Sequence, residues 1–532
     1  MRNLFLLFFM SMALWPGQAL WAQEQEFLQG KVLDKNTGEP VVFATVRING
    51  KAKGVITNMD GGFRLPQAYR EAGDSITVSS MGYRSQEYAL RQLSATEPNL
   101  LYLGPGVLSL QEAVVKGKKK RPLGPVKIVR RAIKNIMQNY PVEEFASIGY
   151  YRDYQMHKGQ YLNLNEALLE VWDRGFASMD TTGTRVRIYD YRPNDSFAKD
   201  ENARAEYDYG NYTKIIENAY LPSYGGNEFT ILRIHDALRN YNVNSFSFVN
   251  EFQYDFIGNH TFTKEADVFL GDERCYAISF KGYNSPRHRV KGMIYISRKD
   301  FAIHKMAYAV YNRQKKLPSG QVDKDGMGIE AVFEVVVEYL RQDGRMFPNF
   351  ISFNNHFKVV KSARFVMERV TIDPFQGSFL LYFTQAVDLD SASKERNYKI
   401  RFMGKRLRFR EIEVVENTVR LQVGRGHKEF NDFLAKLRAF PSQEKLLMEN
   451  LVVRVENIMN MDGSEEVNKP FTENYLQFRE FFVQETKSNS SPDQGIPFMD
   501  KYRPIFKDQP MSKPNNFNEY WMNTPLRKVS DL

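Results

Sequence analysis

Hydrophobic residues along this chain follow two periods, and the change between them marks its units. Over residues 27–115, short apolar runs alternate with turn signals: "FLQGKVLD", "NTGEP", "VVFATVRING", "VITNMDGGFRL" and "DSITVSSMGYRSQEYAL". Strands of this length at this spacing predict a small β-sandwich. In "NMDGGFRLP" (58–66), Asp60–Gly61–Gly62 falls between two strand-like runs, where a hairpin is expected to reverse. Asp–Gly supplies the positive φ such a turn needs.

The basic, Gly/Pro-punctuated stretch at 116–124 reads as a linker. A helical period then takes over in "PVKIVRRAIKNIMQNYP". Pro125 starts this segment and Pro141 ends it. Val126, Val129, Ile133, Ile136 and Tyr140 share a face, widened by Ile128 and Met137, with Lys127, Arg130, Arg131 and Lys134 opposite. Such a helix packs on a sheet or lies on a membrane surface.

Residues 146–361 return to strands. "GMIYISRKDFAIHKMAYAVYN" reads as a hairpin turning at Arg–Lys–Asp, and "AVFEVVVEYLRQDGRMFPNFISFNNHFKV" as another turning at Asp343–Gly344. Consecutive hairpins of this length predict a large, curved antiparallel sheet, so 125–365 is expected to be an α+β middle domain. Residues 366–465 form a further strand-rich unit. Residues 466–532, rich in Pro, Asn, Ser and Lys, read as an extended, partly disordered tail. In it, only "YLQFREFFVQE" and "FNEYWMNTPL" are apolar enough to pack back on the body. The fold class expected is mainly β with some α, multidomain.

The N-terminus, "MRNLFLLFFMSMALWPGQALWAQ", changes the picture of compartment. It has Arg2, an apolar run, Pro16 and small residues at Gly17, Ala19 and Ala22. That is the build of a secretory signal peptide over 1–22, with cleavage expected after Ala22. The net charge of +10 is spread along the chain, and export argues against nucleic acid as its partner. The single cysteine, Cys275, excludes an intrachain disulfide, and no cysteine follows the leader to carry an acyl anchor. No later apolar stretch has the length of a membrane-spanning helix.

The order "GKVLD…TGEPV…ATV…GVITNMDGGFRL…ITVSSMGY" resembles the carboxypeptidase regulatory-like domain, a transthyretin-like β-sandwich of Gram-negative cell-envelope proteins. The resemblance implies a non-catalytic module, often found at the N-terminus of TonB-dependent transporters. "LSLQEAVVKG" (108–117) looks like the segment that follows it there, with Ala113 departing from the pattern. No plug domain or long barrel follows. Phe379, Phe383, Thr384, Val387, Asp388, Asn397, Tyr398, Asn417, Val419 and Leu421 resemble the pattern of the SbsA-type bacterial Ig-like domain, with "LVVRVENIMNMDGS" as its closing strand. The resemblance implies an Ig-like β-sandwich that spaces or binds. Residues 427–450 are longer and more helical than that pattern. The strand pattern of the middle domain faintly resembles the half-barrels of periplasmic lipoprotein carriers.

The search for chemistry names no catalytic, cofactor-binding or metal residue. His157, His235, His260, His288, His304, His356 and His427 show no H-E-x-x-H spacing, and no G-x-S-x-G elbow or Walker loop is present. His304 and His356 read as strand residues, and Cys275 as a buried, inert thiol. "NMDGGFRLP" and "NMDGS" (460–464) lack the repeated acids of a calcium loop. "WDRGFASMD" and "RIYDYRPNDSF" put Trp, Tyr and Asp in what reads as a loop-rich region, either a sugar-binding face or loops anchored by core aromatics.

Three functions follow. One is an exported, non-enzymatic envelope protein that binds or scaffolds, in the periplasm, at the outer membrane or on the surface. Its partners would be envelope or outer-membrane proteins, with a glycan or peptide as a possible ligand. Another is a glycan- or peptide-directed hydrolase, which calls for carboxylates with raised pKa in a deep pocket of the middle domain. The third is a lipid or lipoprotein carrier, which calls for an apolar cavity under the sheet.

Overall fold

The structure, a computed structural model, describes residues 26–106, 122–178, 184–208, 213–216, 226–238, 256–270, 273–283, 286–317, 327–439, 449, 451–492, 495–506 and 508–525. The leader, "LSLQEAVVKG" and residues 116–121 of the linker lie outside them. The chain is mainly β with some α, built on several sheets. Among the described residues, no helix is long and apolar enough to cross a membrane, which says nothing of strands.

The first unit is a two-sheet sandwich. Strands β1 (Phe27–Asp34), β4 (Gly62–Pro66) and β7 (Asn99–Leu103) form one sheet, in the order β4-β1-β7. Strands β2 (Thr45–Ile48), β3 (Gly54–Ile56), β5 (Ser75–Ser79) and β6 (Gln86–Ala89) form the other, in the order β3-β2-β5-β6. Alternate apolar side chains such as Val32, Val46, Phe63, Ile76 and Leu101 meet between them. The Asp60–Gly61 turn does not close a hairpin, because β3 and β4 belong to different sheets and the turn carries the chain from one to the other. Gly61 N–H donates to the Asn58 carbonyl at 2.9 Å. Gly61 sits at φ +73°, and a Cβ there would lie 2.6 Å from the Val32 carbonyl oxygen.

The second unit is a 12-stranded sheet. Its strands are β8 (Phe145–His157), β9 (Gln160–Asp173), β10 (Arg185–Pro193), β11 (Lys214–Ile215), β12 (His260–Lys264), β13 (Val268–Leu270), β14 (Glu273–Tyr283), β15 (His288–Ser297), β16 (Ile303–Lys316), β17 (Ile329–Gln342) and β18 (Arg345–Lys361), joined by one from the tail. The two predicted hairpins are present, with Asp343 and Gly344 at positive φ in the second. The helix splits into Pro125–Lys134 and Ile136–Asn139. Asn135 interrupts it, and its side-chain amide donates to the Asp300 carbonyl at 2.9 Å, tying it to the β15–β16 turn. Ile128, Val129, Ala132, Ile136 and Tyr140 are buried against the sheet, whereas Val126 and Met137 are exposed.

The third unit interrupts the second. Strands β19 (Met367–Asp373), β20 (Ser378–Phe383), β21 (Tyr398–Phe402), β22 (Lys405–Arg406), β23 (Phe409–Val415), β24 (Thr418–Val423) and β25 (Leu451–Val455) form two sheets, β19-β20-β24-β23 and β22-β21-β25. Phe379, Ile400 and Leu421 share a core with Phe430 and Phe433 of the helix Lys428–Ala439. The pattern residues serve local structure. Asp388 caps the short helix Leu389–Ala392 by accepting from Ser391 N at 2.8 Å, and Asn397 donates to the Ser391 carbonyl at 2.8 Å.

The tail differs most from expectation. Phe471–Ser488 is β26, the strand between β8 and β18 in the middle of the large sheet. Lys361 pairs with Phe471, so the third unit occupies the loop of a β18–β26 hairpin. The large sheet therefore draws on residues on both sides of the 366–465 unit. Beyond β26, Tyr520–Thr524 forms a buried strap. Trp521 joins the core of the N-terminal sandwich, Asn523 accepts from Arg64 N at 2.8 Å, and Thr524 donates to Glu166 at 2.7 Å.

Candidate functional site

Alternation along β8 sends neighbouring residues to opposite faces of the sheet. Tyr150 faces the N-terminal sandwich, where Phe43 packs 5.0 Å from the Phe350 ring and Asn58 accepts from Arg152 Nη1 at 2.6 Å. On that face, Arg152 is ion-paired with Glu480 of β26, directly across the ladder, and both side chains are fully buried.

The opposite face holds Tyr151, Asp153 and Gln155 of β8, beside Gln477 and Arg479 of β26. Here a cavity of about 570 Å³ opens, and Asp153, Gln155, Asn163, Asn165, Lys214 and Glu228 are among its walls. Asn165 Nδ2 donates to Asp153 Oδ1 at 2.9 Å, and Tyr151 O–H to Oδ2 at 3.1 Å. Asn163 donates to Gln155 at 2.8 Å and Gln155 to Gln477 at 2.7 Å, a fixed chain of carboxamides. Lys214 Nζ donates to the carbonyls of Ala203 (2.6 Å) and Ala205 (2.8 Å), and lies 4.4 Å from the Tyr207 ring centre.

Charge shapes this face. Arg479 lies across the ladder from Asp153. Its guanidinium, however, is taken by Glu228, at the first turn of the helix Glu228–Arg233, and by Asn355 at 2.6 Å. Burial, and then the negative charge of Glu228, push the Asp153 carboxyl up to about 7. Burial also brings the Lys214 ammonium down to about 8, against the opposing pull of Glu228.

The middle domain thus contains a buried carboxyl with a raised pKa in a sizeable cavity. Yet Asp153 is already bonded to Asn165 and Tyr151, and Glu228 to Arg479. The cavity is not the purely apolar one that a carrier calls for. Tyr140, Phe229, Ile231 and Phe353 belong to a continuous core under the sheet, and the wall of the cavity mixes amides and charges with apolar and aromatic groups.

In the Trp–Tyr–Asp region, Trp172 and Tyr189 lie in β9 and β10 rather than in loops, and residues 179–180 lie outside the described residues. Trp172 is buried, with the Arg187 guanidinium 4.5 Å from its ring, and so offers no open sugar-binding face. Burial pushes the Cys275 thiol up to about 12, so it is a poor nucleophile. His304 and His356 lie on β16 and β18, and among the described residues no group of three or more His, Cys, Asp or Glu is placed to hold a metal.

Sequence reasoning reached the cavity only through "RIYDYRPNDSF", whose Tyr191 lines it, and did not name Asp153, Asn163, Asn165, Lys214 or Glu228. A signal was present in "YYRDY" and "FREFF", where a cation–acid dipeptide sits inside an aromatic run. A buried charge needs a partner, and each dipeptide lies across the ladder from the other.

Comparison with known proteins adds three findings. Residues 28–115 match the CarboxypepD_reg-like domain family. A stretch of 111 residues, 20% of this chain, is 36% identical to part of the TonB-dependent receptor SusC of Bacteroides thetaiotaomicron; the match spans 10% of that protein's length. Solved structures align loosely. A putative outer membrane lipoprotein-sorting protein domain from Vibrio parahaemolyticus aligns at 8% identity over 43% of this chain and 85% of its own, with a TM-score of 0.21. A LolA superfamily protein from Nitrosomonas europaea aligns at 10% identity over 44% and 86%, with a TM-score of 0.18. Superpositions this loose carry no functional argument. The N-terminal sandwich, described over residues 26–106, falls from residue 28 onward within the segment that matches the CarboxypepD_reg-like domain family.

Proposed function

We propose that this chain is an exported, outer-membrane-associated component of the cell envelope that binds a ligand or partner without transforming it. The observation that carries the binding reading is the state of the cavity carboxylates. Asp153 and Glu228 are held by fixed donors, as in a preorganised binding surface. The envelope setting is supported by the signal-like leader, by the regulatory-like module and by that module's likeness to a segment of a TonB-dependent receptor. In this reading, residues 366–465 are an Ig-like spacer or partner-binding module carried on the hairpin tip.

Protease treatment of intact cells, combined with affinity purification from solubilised envelopes, tests the proposal. The expected result is a leaderless chain in the envelope fraction, recovered with outer-membrane proteins. Recovery from the cytosol with an uncleaved N-terminus would overturn it.

A further inference from the structure

The cavity beneath β8 and β26 has a composition that selects among ligand chemistries. Two of its cations are committed, Lys214 to two backbone carbonyls and Arg479 to Glu228 and Asn355; a third, Arg204, is exposed and lies 3.8 Å from Glu201. A phosphate or carboxylate ligand would have to break those bonds to reach Lys214 or Arg479, and would face Asp153, Glu206 and Glu228 in the same wall. Strands β8, β9 and β26 are all interior to the sheet, so an extended peptide has no free edge to join here.

What the walls do supply is paired donors and acceptors. The chain Asn163–Gln155–Gln477 fixes the orientation of its amides, and Asn165 is fixed through Asp153. Amide and carboxyl groups held side by side suit hydroxyl groups, each of which both donates and accepts. With its pKa near 7, Asp153 serves as either donor or acceptor at neutral pH. One wall is aromatic, where the rings of Tyr191 and Phe506 stack 4.1 Å apart. The volume of about 570 Å³ falls in the range of roughly 300–1,000 Å³ usual for small-molecule sites.

Resting on the binding function proposed above, we infer that this cavity is a site for a neutral saccharide. The sugar hydroxyls bond to the carboxamides and Asp153, and a C–H face of the ring lies on the Tyr191–Phe506 wall.

The test uses the full mature chain on an array of neutral glycans, followed by calorimetric titration with the best binder. Tripeptides, glucuronate and inorganic phosphate are titrated in parallel. At least one neutral saccharide is expected to saturate the protein. Ala205→Trp, which places an indole on an exposed part of the rim, is expected to weaken that binding at least tenfold without moving the melting temperature. Tyr191→Ala is expected to weaken it by a similar factor. Where Tyr191→Ala loosens the fold, the rim variant keeps the test independent of stability. Tighter binding of a tripeptide, glucuronate or phosphate, saccharide binding untouched by Ala205→Trp, or no saccharide binding at all would each overturn the inference. In the last case, a chain still recovered from the envelope with its partners would leave the wider function standing.

Discussion

Arg152 and Asp153 are neighbours on β8 and look in opposite directions, and each faces an opposite charge on β26. On the sandwich side the pair closes: Arg152 and Glu480 bond directly, and Asn58 accepts from the arginine as well. On the cavity side it is diverted: Glu228 captures Arg479 and leaves Asp153 to neutral donors. The same ladder thus builds a closed ion pair on one face and a polar cavity on the other. The difference comes from what covers each face. A folded module lies over the first. A short helix that brings its own carboxylate lies over the second.

Breaking the closed pair should have the largest effect. Glu480→Ala strands a fully buried guanidinium and is expected to destabilise the protein by about 3–5 kcal/mol in urea unfolding. Replacing both partners with apolar residues of similar volume should recover most of that loss.

The diverted pair predicts a pH signature. The folded pKa of Asp153, about 7, lies above the ordinary carboxylate value of about 3.9. The folded state therefore binds more protons than the unfolded one between these values. The stabilisation is fully present below about pH 4 and is lost as pH rises through about 7. Asp153→Asn, which removes the titration, is expected to be more stable relative to the native chain at pH 8 than at pH 5, by on the order of 2 kcal/mol in urea midpoints.

Glu228→Gln sharpens the comparison. It removes the charge that raises Asp153 and releases Arg479 toward it, so the Asp153 titration followed by NMR should fall by about a unit or more.

The smallest effects belong to the turn at the sandwich edge. Gly61→Ala meets both the positive φ and the Val32 carbonyl, and should cost about 1–2 kcal/mol. Asp60→Ala loses a 3.6 Å contact with Lys31 and a 3.4 Å hydrogen bond from Gly62 N at a partly exposed site, and should cost under about 1 kcal/mol while leaving ligand binding unchanged.

How much of this could be read in the sequence follows from the range of the interactions. The Asp343–Gly344 hairpin was legible because its signal lies within a few residues. The sandwich was legible because each strand is bounded by its own turn. The Asn58–Gly62 turn was visible but not its crossing between sheets, since pairing partners are a tertiary fact. The place of Phe471–Ser488 was hidden for the same reason: β18 and β26 meet across a complete intervening unit. The cavity was the least legible. Asp153, Lys214, Glu228 and Gln477 come from distant segments, and ordinary polar residues become a site only when a sheet and a helix bring them together.

The central position of β26 also sets a schedule. The meanders β8–β10 and β14–β18 can each form from local contacts, but they present facing, unpaired edges until Ser488 has emerged. Contacts of such long sequence separation form slowly. Until then, the open edges invite pairing with other chains. A polypeptide that cannot close its largest sheet until so late stays threadable for most of its synthesis. It also depends on protection from aggregation over that interval.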